Sequence, residues 1–591
     1  MTNADRSNPY CRLLQPIPLL FVSLCLLVVL VFHPALQGEF LFWDDDSNIF
    51  RNPHLRDLGF EQVFWMFTDT SYYWRYQPLS WLTWNAIFQC FGLRPFYFHL
   101  VVVLFHAVNA GLVFVLIERL LRLGWAPQAA SGNRSLLICA ALAASVWALH
   151  PLRVETTAWA VELEYVQALF FFLLAALAYL QWVKVGGSRD RFYLASLACF
   201  AASLITFPIA LGGLVVFISF DVYPLRRLSL QPRQWSGPET RRVWLEKVPY
   251  LAISLAVLWI NWLARSHVRI GWGKPATLEE FGLVPRVMQA FYIWASNLWK
   301  PLVPVGLTPV PLQLHEFDPW SVSFVLSGLL VTGLTVGCFL LRFRWPALFL
   351  VWVCHLALLV PMLGLSERLH YPSDRYNLVV SIGWAILLAS VLRRLWQEQT
   401  KRRLAISLMV LLIFALGLMS YRQTLIWQTN ERFFNHVLTH LPPGSKWDSF
   451  RVMAYQRLGE YYMNKRDFAK ATTALRDAVR VDPKDFVTKA LLAEAMVYAG
   501  ELDAAIPIFE DCIRHDPKLT PALNLVGIAY LDRGDAARAV ECFERVLRYN
   551  PGNPLAQKGL ARASITPQRT EPTQMPESQP KTLSGNSNAT P

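Results

Sequence analysis

Ten runs of 14 or more predominantly apolar residues fill the chain as far as Ser420, and they restrict it to folds that set such surface against lipid or against itself. They lie at Pro16–Phe32, Leu100–Ile117, Leu136–Leu149, Val166–Val183, Phe192–Phe220, Pro249–Leu263, Ser323–Leu341, Trp345–Pro361, Asn377–Leu392 and Leu404–Ser420. Hydrophobic residues make up 54% of the 591 positions and charged ones 16%, which excludes a wholly soluble protein. In so apolar a chain the net charge of +13 belongs to arginine-rich loops, so no nucleic-acid partner is expected. Pro16–Phe32 follows Arg6 and Arg12 as a signal peptide would. No small-x-small cleavage site comes after it and more spans do, so it reads as an uncleaved first helix. The nine cysteines show no CxxC and no regular spacing, which supports neither a disulfide framework nor a metal cage.

The orientation turns on Phe192–Phe220. Its 29 residues exceed one crossing, and Thr206-Phe207-Pro208 interrupts them where proline removes a helix donor. A tight hairpin there puts both flanks on one side and gives about eleven spans, with the N-terminus cytoplasmic and the C-terminus outside. Lysine and arginine agree with this scheme: 21 fall in 85 proposed inside residues, against 12 in roughly 155 outside residues up to Tyr376. The fold class expected is all-α, a polytopic helix bundle over 1–421.

Beyond a linker at 422–447 the chain turns soluble and periodic. Asp482-Pro483, Asp516-Pro517 and Asn550-Pro551 recur every 34 residues, as do Arg466, Gly500 and Gly534, and likewise Ala471, Ala505 and Ala539. Leu475, Phe509 and Phe543 keep the same register, and so do Tyr462, Met496 and Tyr530. Paired helices with small residues at their crossings and proline after each pair make the tetratricopeptide (TPR) pattern, a short α-solenoid over 448–562. The tail, 563–591, is rich in Pro, Thr, Ser, Gln and Asn and is expected to be disordered.

Chemistry is expected in the segments placed outside. The first, 33–98, carries Asp44, Asp45 and Asp46 behind Phe42-Trp43, and adjacent carboxylates repel unless something offsets them. They can hold a divalent cation, supply a general base, or simply cap a helix in a solvated loop. Arg51, Arg75, Tyr76, Gln77 and His99 add donors in the same segment. The second segment runs His150-Pro151-Leu152-Arg153-Val154-Glu155 to Trp159, Glu162 and Glu164. His150 reads either as a proton carrier or as a structural hydrogen-bonding group. The third holds Asp374, Arg375 and Tyr376, with Arg375 either snorkelling beside Asp374 or clamping a phosphate.

Phe42-Trp43-Asp44-Asp45, His150-Pro151-Leu152-Arg153-Val154-Glu155 with Trp159, Thr206-Phe207-Pro208 leading to Asp221-Val222-Tyr223-Pro224-Leu225, Glu246-Lys247-Val248-Pro249, and Ser373-Asp374-Arg375-Tyr376 follow one another in order. Together with the repeats they resemble the bacterial relatives of the transmembrane and tetratricopeptide repeat-containing O-mannosyltransferases, over nearly the whole chain. The resemblance implies a GT-C-type glycosyltransferase in the cell inner membrane. Such an enzyme moves a sugar from a polyprenyl-phosphate donor in the lipid to an acceptor, a protein serine or threonine, outside it. Asp44 and Asp45 carry over as the catalytic pair, as base or as ligands of a divalent cation if one is used. Arg375 and Arg153 would hold the phosphate, with His150, Glu155, Asp374 and Tyr376 shaping the substrate site, and the TPR repeats would present the acceptor. Where many relatives carry Glu-Arg-Lys-Asp this chain has Glu162-Leu163-Glu164-Tyr165, and Ala201 stands where a lysine is common. Two other classes compete: a non-catalytic membrane-anchored scaffold built on the repeats, and a transporter, which would put ionisable groups inside the spans. The spans offer only His106, Asn109 and His355 for that role.

Overall fold

Every apolar run becomes helix in the computed structural model, which describes residues 16–124, 131–186, 190–267, 276–308, 317–365, 370 and 372–565; all regular elements among them are helical. The helices of the first part are α1 (Pro16–Phe32), α2 (Phe60–Thr68), α3 (Pro78–Phe91), α4 (Pro95–Gly124), α5 (Ser131–Ala148), α6 (Val154–Ala158), α7 (Leu163–Lys184), α8 (Asp190–Thr206) and α9 (Gly213–Val222). There follow α10 (Pro238–Leu245), α11 (Val248–Ser266), α12 (Leu283–Trp299), α13 (Val322–Leu340), α14 (Pro346–Leu359), α15 (Asn377–Leu395) and α16 (Gln399–Ile426).

Among the described residues seven helices are long and apolar enough to cross a membrane, or eight when the bent pair Arg134–Ala148 and Pro151–Ala158 is one span. The eleven expected crossings exceed the larger number, eight, by three. The excess lies in α8, α9 and α14, of 17, 10 and 14 residues.

The hairpin at Thr206-Phe207-Pro208 does form. The Oγ atoms of Ser196 and Ser203 donate to the carbonyls of Ala175 (2.8 Å) and Ala168 (2.7 Å), so α8 runs antiparallel to α7 along a seam of small residues. Phe207 is extended (φ −163°), Pro208–Ala210 makes one 3-10 turn, and the chain doubles back. Phe217 of α9 then packs on Phe200 at 5.7 Å and Tyr179 at 5.1 Å, and Asp221 reaches Tyr179 near the end of α7. A Cβ on Gly212 at the return would sit 2.3 Å from the carbonyl oxygen of Ala357, so only glycine lets α9 start this close to α14.

The polar groups inside the spans tie helices together. Asn109 donates to the Val166 carbonyl at 2.8 Å, His106 Nε2 meets the Ala148 carbonyl at 3.0 Å, and Trp384 Nε1 donates to His355 Nδ1 at 3.2 Å. Each bond joins two helices, while Asn109 Oδ1 and His106 Nδ1 find no partner. None of the three forms the ionisable pathway a transporter needs.

A second compact unit begins at Asn430. The stretch read as a linker is largely helical: α16 runs on to Ile426, and α17 (Asn430–His440) buries Phe433, Phe434 and Val437. Three helix pairs follow: α18 (Asp448–Asn464) with α19 (Phe468–Val481), α20 (Phe486–Tyr498) with α21 (Leu502–His515), and α22 (Thr520–Arg533) with α23 (Ala536–Tyr549). α24 (Pro554–Ile565) closes the solenoid. Ala471, Ala505 and Ala539 are wholly buried at the crossings, beside Leu475, Phe509 and Phe543. A Cβ on Gly459 would lie 2.5 Å from Leu475, which is why α18 carries glycine there. The tail expected to be disordered lies outside the described residues.

Candidate functional site

The acidic loop, the start of α7 and the turn before α15 meet at one end of the first unit. The loop reverses after Phe42, and Asp46–Phe50 form a single π-helical turn closed by the Arg51 N–H on the Asp46 carbonyl at 2.8 Å. That geometry separates the three neighbouring acids. Asp45 is fully buried: Oδ2 accepts the Leu41 N–H at 2.8 Å and Oδ1 the Val161 N–H at 2.9 Å, pinning the loop to the turn before α7. Burial pushes its pKa well above the usual carboxylate range, the two N–H donors pull it back, and Asp44 and Asp46 push it further up. Asp46 pairs with Arg51 at 3.4 Å. Asp44 stays partly exposed, and its charge acts on Arg75 and Glu164.

A train of alternating charges runs from there. Arg75 meets Glu164 at 3.4 Å. Arg375 meets Glu162 at 3.5 Å and Glu155 at 2.5 Å, and its backbone N–H donates to Glu155 at 3.2 Å. The Arg375 guanidinium also lies 5.8 Å from the Trp159 ring and 5.7 Å from those of Tyr165 and Tyr376. Asp374 accepts from Lys300 at 2.9 Å. Five carboxylates and three cations, with Arg375 and Glu155 meeting across 220 positions of sequence, make this end acidic.

The remaining expected residues brace the site. Arg153 is buried, donates to Asn377 Oδ1 at 2.5 Å and Ser381 Oγ at 3.1 Å, and lies over the Trp147 ring; its Nε and Nη1 find no hydrogen-bond partner. His150 accepts the Leu152 N–H at Nδ1 (3.2 Å), so Nε2 carries the proton donated to the Pro301 carbonyl at 2.9 Å. With both nitrogens engaged it caps the turn. Tyr376 bonds His370 at 3.0 Å, their rings parallel within 5°.

The sequence placed Asp44, Glu155 and Arg375 in one candidate site, and the structure adds Lys300 and Asn377 beside them. No local signal marks Lys300, which lies 74 residues from its partner Asp374. The acidic triplet does not fit a divalent cation: Asp45 uses both oxygens on N–H donors and Asp46 faces Arg51. Among the described residues no three His, Cys, Asp or Glu side chains converge as a metal cage.

Fold and site define a multi-pass helical membrane protein with a tetratricopeptide solenoid behind its membrane unit. Tetratricopeptide repeat models match residues 454–485 and 527–566. The chain's homologues are named protein O-mannosyl-transferases, in keeping with the landmarks from Phe42 to Tyr376. It is 26% identical over 474 residues to TMTC1 of Homo sapiens, covering 71% of this chain and 51% of that protein. It is 24% identical over 537 residues to Tmtc3 of Drosophila melanogaster, covering 79% and 55%. Against TMTC2 of Homo sapiens it is 26% identical over 279 residues, covering 45% and 30%. The chain thus spans from under a third to about half the length of these curated relatives.

Proposed function

We propose that this chain is a membrane glycosyltransferase, moving a sugar from a polyprenyl-phosphate donor to a serine or threonine hydroxyl of an acceptor protein on the non-cytoplasmic side. The observation that carries the reading is the division of labour between two adjacent acids: Asp45 is wholly buried as a peg, and Asp44 is held partly exposed beside Arg75. Asp44 takes the acceptor's proton as the hydroxyl oxygen attacks the anomeric carbon, and the bond from that carbon to the phosphate oxygen breaks. The departing phosphate keeps the electron pair, and the partly exposed Arg75 and Arg375 offset its charge. Arg153 acts at one remove, holding Asn377 at the head of α15. The solenoid presents the acceptor chain.

The test is sugar transfer by purified protein in detergent, supplied with a polyprenyl-phosphate sugar. Asp44→Asn should lower the rate by roughly 10²–10⁴-fold, the usual loss with a general base; equal rates would remove Asp44 from the chemistry.

One observation favours a non-catalytic scaffold: Arg75 and Arg375 already face glutamates, leaving less cationic charge for a phosphate. In that case Asp44→Asn leaves the cellular phenotype intact, and substitutions on the concave face of the repeats abolish it.

A further inference from the structure

The end of α7 away from the acid cluster carries a second, separately organised set of charges. Glu164 opens α7 and Tyr179 lies fifteen residues on, about 22 Å along the helix. There the segment from Val222 to Lys247 folds into a cap with a neutralised interior. Lys247 pairs with Asp221 at 2.7 Å and bonds the Tyr179 hydroxyl at 2.6 Å, while Arg227 pairs with Asp221 at 3.0 Å and Glu246 at 2.5 Å. Two acids and two bases balance.

Arg226 stands outside that balance. It is exposed, and among the described residues no acid pairs with it. Its backbone is left-handed (φ 55°), a conformation that strains a side-chain-bearing residue and that glycine adopts freely. Arg226 and Arg227 line a cleft of about 470 Å³ whose other walls divide by character: Val222, Leu228 and Pro346 are apolar, Ser229 and Gln234 polar. Val222 ends one apolar helix, α9, and Pro346 begins another, α14. The cleft therefore opens where apolar helix gives way to polar loop.

We propose that this cleft seats the phosphate of an anionic phospholipid, with the Arg226 guanidinium on the phosphate oxygens and the apolar wall against the first methylenes of the lipid. A free inorganic anion matches the arginine but leaves the apolar wall without a partner. The site is independent of the transferase chemistry, and Asp44 variants should leave it untouched.

The experiment measures retention of phosphatidylglycerol against phosphatidylcholine by the purified full-length protein in detergent, read by native mass spectrometry. The wild type should prefer phosphatidylglycerol. Arg226→Gly should cut that preference about fivefold, the weight of one arginine at an anionic surface, while the unfolding temperature without added lipid holds or rises, because glycine accepts φ 55° freely. Arg226→Lys should keep most of the preference, and Arg94→Ala, an exposed arginine before α4, all of it. Undiminished retention by Arg226→Gly would overturn the proposal. So would inorganic phosphate displacing phosphatidylglycerol at equal concentration, since the cleft would then be a plain anion site.

Discussion

Single residues in the solenoid reveal how one backbone position is filled with unequal success. Gly500 and Gly534 close their helices at φ 83° and 88°, and Arg466 occupies the equivalent place at φ 59°. Arg466→Gly should therefore raise the stability of the unit starting at Asn430 by about 1 kcal/mol, measured by urea denaturation of that unit expressed alone. Glu494 bears on pH. Only 3% exposed, with Oε2 unpartnered, its carboxyl is pushed up to about 7 by burial and by the charge of Glu460. A folded-state pKa above the unfolded value of 4.5 means that stability is complete below pH 4.5, falls as the pH climbs to about 7, and is flat beyond. The loss amounts to about 3 kcal/mol. Glu494→Gln should flatten that slope, and a wild-type unit equally stable at pH 5 and pH 8 would contradict it. In the candidate site Asp45→Asn should act differently from Asp44→Asn: replacing an oxygen that accepts an N–H leaves a buried donor unmet, so the loss appears as lowered thermal stability.

Elements show which periodicities could be read along the chain. Runs of apolar residues announce α1, α4, α7 and α16 because a crossing helix is apolar all round. α12 stayed hidden inside a presumed loop: Arg286, Gln289 and Asn297 are buried on it, and Arg286 is satisfied by the carbonyls of Phe281, Ala276 and Thr277. Such polar residues interrupt the continuous apolar run by which the other spans are read. α17 was missed because 11 residues with three buried apolar side chains look like linker until α18 is present to cover them. The hairpin between α8 and α9 was legible through Pro208, its tightness only through Gly212. Gly212→Ala should force α9 and α14 apart and cost about 2–3 kcal/mol, seen as a lowered unfolding temperature in detergent; an unchanged temperature would show that α14 yields freely.

For the whole molecule the arrangement of charge predicts an orientation. The Val222–Lys247 cap, rich in arginine, and the acid cluster lie at opposite ends of α7. The cap should therefore face the cytoplasm and the acids the other side. Reporter fusions at Gly124 and Ser236 should read inside and one at Ser584 outside; a cytoplasmic Ser584 would refute the eleven-span count. The count of full crossings depends on bundle geometry as well as apolarity: α8 and α9 form a hairpin whose two flanks return to one end of α7, and α14 is continued by the 3-10 turn Val360–Met362.

The chain's membrane class, the reversal at Pro208 and the 34-residue register of the solenoid were determined by sequence alone. Each is a one-dimensional pattern, a run, a break or a period, and partition between lipid and water acts on such patterns directly. Packing alone decided which carboxylate of the triplet is exposed, that Arg375 meets Glu155 and Glu162, and that Lys300 meets Asp374. Coulomb attraction and hydrogen bonding act over a few ångströms, and residues 155 and 375 come that close only once the helices between them have folded.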